Sequence, residues 1–179
     1  MQRVGLTFGV IAGALLSVVL LVGMVLWHNG MVTFETGELY GYTTMLVALS
    51  VIFFGIKSYR DKHLRGSIRF WKAVQIGLFI SGVAIVMYAI TWEVYGVTQP
   101  EGFSKFMAEY QQCQIDKWKE DGESEEAIAE KTADMASMME MYKNPIIRFG
   151  ITLIEPLPVA LVVTLVSAGL LRRREVAPL

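Results

Sequence analysis

Residues 73–97 read AVQIGLFISGVAIVMYAITWEVYGV, with Glu93 the one charged side chain in the run. A helix of this length extends about 37 Å at about 1.5 Å per residue, and the hydrocarbon core of a bilayer is about 30 Å thick. Such a run has no polar face to offer water, so it reads as a membrane-spanning helix rather than an amphipathic one. Three further stretches share the pattern. Residues 4–27 carry no acid, Lys, Arg or His, residues 39–56 none either, and residues 146–171 only Arg148 and Glu155. The chain is 54% hydrophobic and 18% charged, against about a quarter charged in soluble domains. The expected fold class is an all-α integral membrane protein, a four-transmembrane-helix bundle forming a single membrane domain over 1–179.

The first stretch follows Arg3 and contains AGA at 12–14, as a secretory leader does. Its apolar run continues well past the roughly 7–15 residues of a leader's core, so an uncleaved first span is expected.

Charge placement sets the threading. The loop 57–72, KSYRDKHLRGSIRFWK, holds Lys57, Arg60, Lys62, Arg65, Arg69 and Lys72 against Asp61 alone. With four spans this loop, Arg3 and the run Arg172, Arg173, Arg174 fall on one side. Basic loops stay cytoplasmic, so both termini are expected in the cytoplasm of a bacterial inner membrane. The opposite side receives 98–144, with eleven acids and five lysines.

That outer segment is patterned rather than featureless. Phe103, Phe106, Met107, Tyr110 and Trp118 recur mostly at helical spacing, and Gly122 punctuates. Ser124 offers an N-cap before Glu125 and Glu126, where the helix dipole favours acids. Ile128, Met135, Met138, Met139 and Tyr142 then continue the helical period. An extracytoplasmic helical hairpin between spans three and four follows, its apolar side on the membrane or on the end of the bundle.

Small residues mark where spans approach. Gly5, Gly9 and Gly13 form one stripe, Ala73, Gly77 and Ser81 a second, Ala160, Thr164 and Ala168 a third. In lipid, helices associate through close backbone packing, so these are contact faces, either inside one bundle or, for the first stripe, in a homodimer. Trp27, Tyr40, Tyr42, Trp92 and Tyr95 on one side, and Tyr59, Phe70 and Trp71 on the other, suit the aromatic belts of a membrane protein.

Within the spans the polar candidates are Glu155, Arg148 and Glu93. Counted at about 1.5 Å per residue, Glu93 reaches the outer surface, while Glu155 lies in the outer leaflet, where an acid resists ionising or takes a partner. Arg148 matches the depth of Glu93 better than that of Glu155. Pro156 and Pro158 remove helical donors beside Glu155. A broken helix next to an acid resembles the ion sites of some transporters, yet proline kinks also occur in ordinary spans. The expectation is a structural kink, with a proton or cation site at Glu155 as the alternative.

Nothing else points to chemistry. Cys113 is the single cysteine, and His28 and His63 fall on opposite sides. The methionines of MASMMEM, 135–141, are soft copper ligands in principle, but at helical spacing they read as adaptable packing. No nucleotide-binding, hydrolase or metalloprotease motif is present. No catalytic residue, metal site, cofactor or nucleic-acid partner is expected.

The order of features resembles a family. GYTTMLVALSVIFFGIKSYRDKHLRGSIRFWKAVQIGLFISGV, then MYKNPIIRFGITLIEPLPVALVVTLVSAGLLRRR, are similar to the bacterial domain-of-unknown-function family 4199. The resemblance covers nearly the whole chain and implies a multi-pass bacterial inner-membrane protein, without an assigned activity. The reading that results is a non-enzymatic interaction or accessory membrane protein, embedded in the lipid bilayer, whose partner is a second copy or another membrane protein. The alternative is a small proton- or cation-coupled carrier or channel-like protein using Glu155.

Overall fold

A computed structural model describes residues 2–172; Arg173 and Arg174 of the terminal basic run lie outside the described residues. Eight helices follow in order: α1 (Gln2–His28), α2 (Phe34–Leu49), α3 (Val51–His63), α4 (Phe70–Thr98), α5 (Pro100–Glu120), α6 (Glu125–Tyr142), α7 (Pro145–Ile154) and α8 (Leu157–Leu171). The described residues include no β-strand. Four stretches are long and apolar enough to cross a membrane: Gln2–His28, Phe34–His63, Phe70–Thr98 and Pro145–Leu171. The second is α2 and α3, joined at Ser50, whose hydroxyl bonds the carbonyl of Val47 at 2.7 Å. The fourth is α7 and α8, joined at Glu155 and Pro156.

Two boundaries differ from the hydropathy reading. Helix α3 runs to His63 and α4 starts at Phe70, so the basic loop 57–72 contracts to 64–69. Lys57, Arg60 and Lys62 extend the helix beyond its apolar part, because straight-chain basic residues are good helix formers. The turn that remains uses left-handed backbone at Arg65 and Gly66. Helix α4 continues past Glu93 to Thr98 and stops at Gln99, where Pro100 opens α5 as its first residue, the position where a missing N–H matters least.

The central element is α4. Of its most apolar window 56% is buried, against 28% or 33% for the other spans. Helix α1 packs along one side of it and α8 along another, while α3 touches α1, α4 and α8. Leu16, Leu49, Ile52, Ile56, Ile76 and Ile80 fill the middle.

The small-residue stripes account for these approaches. A Cβ placed on Gly9 would lie 2.7 Å from the Cβ of Val83, and one on Gly13 would lie 2.7 Å from the sulfur of Met87; Gly5 faces Phe79 in the same way. The glycine face of α1 is therefore filled by α4 of the same chain. The other two stripes meet each other. Gly77 lies against Thr164, and the buried hydroxyls of Ser81 and Thr164 are 3.3 Å apart.

Candidate functional site

Glu93 and Arg148, two of the polar candidates, meet where α4, α7 and the end of α6 converge. Asn144 caps α7 by accepting from the N–H of Ile146 at 2.9 Å, and Pro145 is the first helical residue. This start fixes Arg148 one turn in, facing α4. Its Nε donates to Oε1 of Glu93 at 2.8 Å, and its Nη2 donates to Oε2. The side chains are 10% and 19% exposed, so the pair is largely out of solvent. Phe103 of α5 lies over the guanidinium at 5.0 Å. Gly96 makes room for both, since a Cβ there would stand 3.4 Å from the Phe103 ring and 3.7 Å from Arg148 Nη2. Counting along the helices puts Glu93 at the surface and Arg148 at its depth; the two side chains meet there, with Glu93 half-buried rather than open.

Trp92, one residue earlier, donates from Nε1 to the hydroxyl of Tyr142 at 2.8 Å, tying the end of α6 to α4. Burial pushes the Tyr142 phenol above its ordinary value, so this group is a neutral hydroxyl at physiological pH. Thr152, one turn after Arg148, is buried and returns its hydroxyl to the Arg148 carbonyl at 2.9 Å.

Further along the seam Tyr88 donates to Oε2 of Glu155 at 3.2 Å. Relative to the Arg148–Glu93 pair, Glu155 is about 10 Å deeper along α7 at about 1.5 Å per residue. Tyr88 is buried in the bundle, whereas Glu155 is exposed on its flank. Glu155 is the C-cap of α7, and Pro156, itself buried, is the N-cap before α8. The kink is a single break at these two residues. Pro158 falls in the first turn of α8, where a helix has unpaired N–H groups in any case, so it removes no bond the helix would otherwise make.

The other candidates separate from this seam. Gly5, Gly9 and Gly13 pack against the face of α4 that carries Phe79, Val83 and Met87. Trp27 and Trp92, read as belt residues, point instead into an aromatic cluster beneath α5. Phe106 lies 5.0 Å from Trp27, 5.3 Å from Phe34 and 5.9 Å from Trp92, and Phe103 lies 5.2 Å from Trp92. Tyr42 and Trp71 remain exposed as belt residues would. Sequence reasoning missed Tyr88 and gave Trp92 and Tyr142 other roles. The available signal was depth, because a tyrosine hydroxyl inside a span needs a partner and Glu155 is the acid at that level.

Chemically, the seam can hold helices in register and present a carboxyl on the bundle's flank. Among the described residues no group of His, Cys, Asp and Glu is arranged to hold a metal ion, and every buried side-chain nitrogen and oxygen has a partner. Comparison with curated proteins and with solved structures returns no match. A family model described as "Protein of unknown function (DUF4199)" matches residues 7–173, which runs from within the first span through the fourth and includes the whole polar seam, and the chain belongs to that family.

Proposed function

We propose that this protein is a non-enzymatic interaction or accessory subunit of the bacterial inner membrane, with both termini in the cytoplasm and α5–α6 outside. The threading rests on the basic residues at the 64–69 end of the bundle and the acidic excess of α5 and α6. The observation that carries the interaction reading is the contrast between the two sides of this outer segment. Helix α5 is pinned to the bundle by Phe103 and Phe106, while neither α5 nor α6 contains a buried residue. Met138 and Met141 stand about half exposed on α6, at 52% and 50%. A fixed base beneath an open, acidic, methionine-bearing surface suits the capture of a protein partner.

The test is photo-crosslinking from Met138 in the full chain at native expression. A discrete protein adduct that disappears when Met138 and Met141 are both changed to Glu supports the reading. Adducts absent, or indifferent to the substitutions, overturn it. The second reading, a carrier, draws on the Tyr88–Glu155 contact at the helix break. Glu155→Gln should then abolish a proton- or cation-dependent flux in vesicles, and an unchanged flux removes that reading.

A further inference from the structure

We propose that the hydroxyls of Tyr142, Thr152 and Tyr88 form a proton path that connects Glu155 with the water on the α5–α6 side of the membrane, and with that side alone. This rests on the carrier reading as to the site, and adds its ligand and its side of entry. A proton bound at Glu155 need not cross the membrane.

Arg148, Thr152 and Glu155 stand at i, i+4 and i+7, one stripe along a helix. On α4 the facing groups are Glu93, Trp92 and Tyr88. Arg148 meets Glu93 at one end of this seam and Tyr88 donates to Glu155 at the other. Between the two contacts lie Thr152, which is buried, and Tyr142, which is half-buried at the end of α6 beside the exposed Lys143. The Tyr142 oxygen accepts from Trp92 at 2.8 Å. Burial raises its phenol, the neighbouring Thr152 and Trp92 groups pull it down, and the Glu155 carboxylate raises it again, so both ends of the seam act on it. Thr152 and Glu155 are three residues apart, and Trp92 and Tyr88 four. These steps of about 4.5 and 6 Å at about 1.5 Å per residue are within the reach of a bridging water. Pro156 has no N–H to return to the Thr152 carbonyl, which adds an acceptor at the same level.

Beyond Glu155 the polar groups stop. Ala84 and Ile85 on α4, and Pro156, Ala160 and Val163 along the fourth span, are buried and apolar. The next side-chain oxygens on the two helices are those of Ser81 and Thr164, which face each other at 3.3 Å. Ser81 is seven residues past Tyr88, about 10 Å at about 1.5 Å per residue. A close-packed apolar stretch of that length holds neither water nor hydroxyls to pass a proton along.

The titratable groups that face Glu155 are Tyr88 from α4 and Tyr142 from α6. Arg148 is held by both oxygens of Glu93, and α8 contains no titratable residue. With no base left to pair with it, the acid is neutralised in lipid by a proton. A proton from water enters at the Tyr142 oxygen, and the proton this hydroxyl held moves on to the Thr152 oxygen. Thr152 releases its own through water toward Tyr88. Tyr88 hands the proton of its 3.2 Å bond to Oε2 of Glu155 and takes the arriving one. The carboxylate ends as a carboxylic acid, and every hydroxyl keeps one proton.

The test uses the full chain in lipid vesicles with separate buffers inside and out, its orientation read by protease access to α5–α6. Carbodiimides react with a protonated carboxyl, so labelling of Glu155 by a lipid-soluble one, read by mass spectrometry, reports its protonation. Labelling should follow the pH of the solution facing α5–α6 and stay constant when only the opposite pH changes. Deuterium exchange at the carboxyl is read by infrared difference against Glu155→Gln after transfer to heavy water. Its rate should fall about a hundredfold in Tyr142→Phe and in Thr152→Val, the low end of what a positioned proton-transfer group contributes. Thr152→Ser should keep the parent rate. Unchanged thermal unfolding in detergent separates a broken path from a broken fold, and the sidedness of labelling needs no variant at all. Labelling that follows the opposite pH, or both equally, overturns the one-sided path, and exchange indifferent to both substitutions overturns the relay. The carrier reading fails separately, by an unchanged flux in Glu155→Gln, and that failure leaves the sidedness of labelling where it was.

Discussion

The guanidinium of Arg148 meets the carboxylate of Glu93 along two parallel bonds, joining α7 to α4 at the end of the bundle beneath α5. The fork geometry of Arg matches a carboxylate in a way that Lys does not. Both side chains are nearly out of solvent, so the pair behaves as a buried one.

Breaking such a pair from one side strands the other charge. Arg148→Met or Glu93→Leu alone should lower unfolding stability in detergent micelles by about 3–5 kcal/mol. The double substitution should lose far less than the sum, because no charge is left uncompensated. A double mutant as unstable as the two losses added would show that the groups do not act as a pair. Arg148→Lys should recover only part of the stability, since it keeps the charge and loses the second arm.

The two glycine environments of the spans make opposite predictions. A Cβ at Gly9 stands 2.7 Å from Val83 and 3.2 Å from the carbonyl of Ile80. Gly9→Ala should therefore destabilise by about 1–3 kcal/mol through overpacking. Gly82 has open space, so Gly82→Ala should be neutral or stabilise by up to about 1 kcal/mol through helix propensity. The same geometry predicts no disulfide-linked dimer for Gly9→Cys, because α4 occupies that face. Thermal unfolding and non-reducing gels check the two statements, and an efficient Gly9→Cys dimer would reassign the stripe to an interface between copies.

Much of this architecture is legible in the sequence because lipid imposes few solutions. Four apolar runs of span length leave little freedom over what forms them, and counting residues from the charges already places Arg148 level with Glu93. What was not legible depends on rotation about the helix axis and on where α5 lands. Trp27 and Trp92 have belt composition and belt depth, yet Phe106 folds between them and turns them inward. Tyr142 fits the apolar period of α6, but its hydroxyl is the acceptor for Trp92. Pro158 looks equivalent to Pro156 until the break is located one residue before α8 begins.

The aromatic cluster should control the order of the α5–α6 segment. Phe106→Ala removes contacts to Trp27, Phe34 and Trp92 together, a loss of about 2 kcal/mol by apolar area. Helix α5 should then lift from the bundle, and proteolysis after Lys105 and Lys117 should accelerate while the spans stay intact. Trp92→Phe keeps the ring packing and removes one hydrogen bond, so its effect should be about 1 kcal/mol and centred on α6. Cleavage rates in Phe106→Ala matching those of the parent chain would mean that α5 is held elsewhere.

Glu155 is exposed on the flank of the bundle with a single donor, Tyr88, and that geometry governs its reactivity. A lipid-soluble carbodiimide should modify it in native membranes, whereas a water-soluble one should not, because the residue lies well inside the level of the Arg148–Glu93 pair. Glu155→Gln should abolish the label, and Tyr88→Phe should raise its rate by leaving the carboxyl without its one hydrogen-bond donor. Thr152 and Arg148 are already committed to each other and to Glu93, so neither can replace the tyrosine. Mass spectrometry of the fourth span reads all three results. Labelling by the water-soluble reagent at an equal rate would place Glu155 in contact with bulk water, which the depth of the residue does not allow.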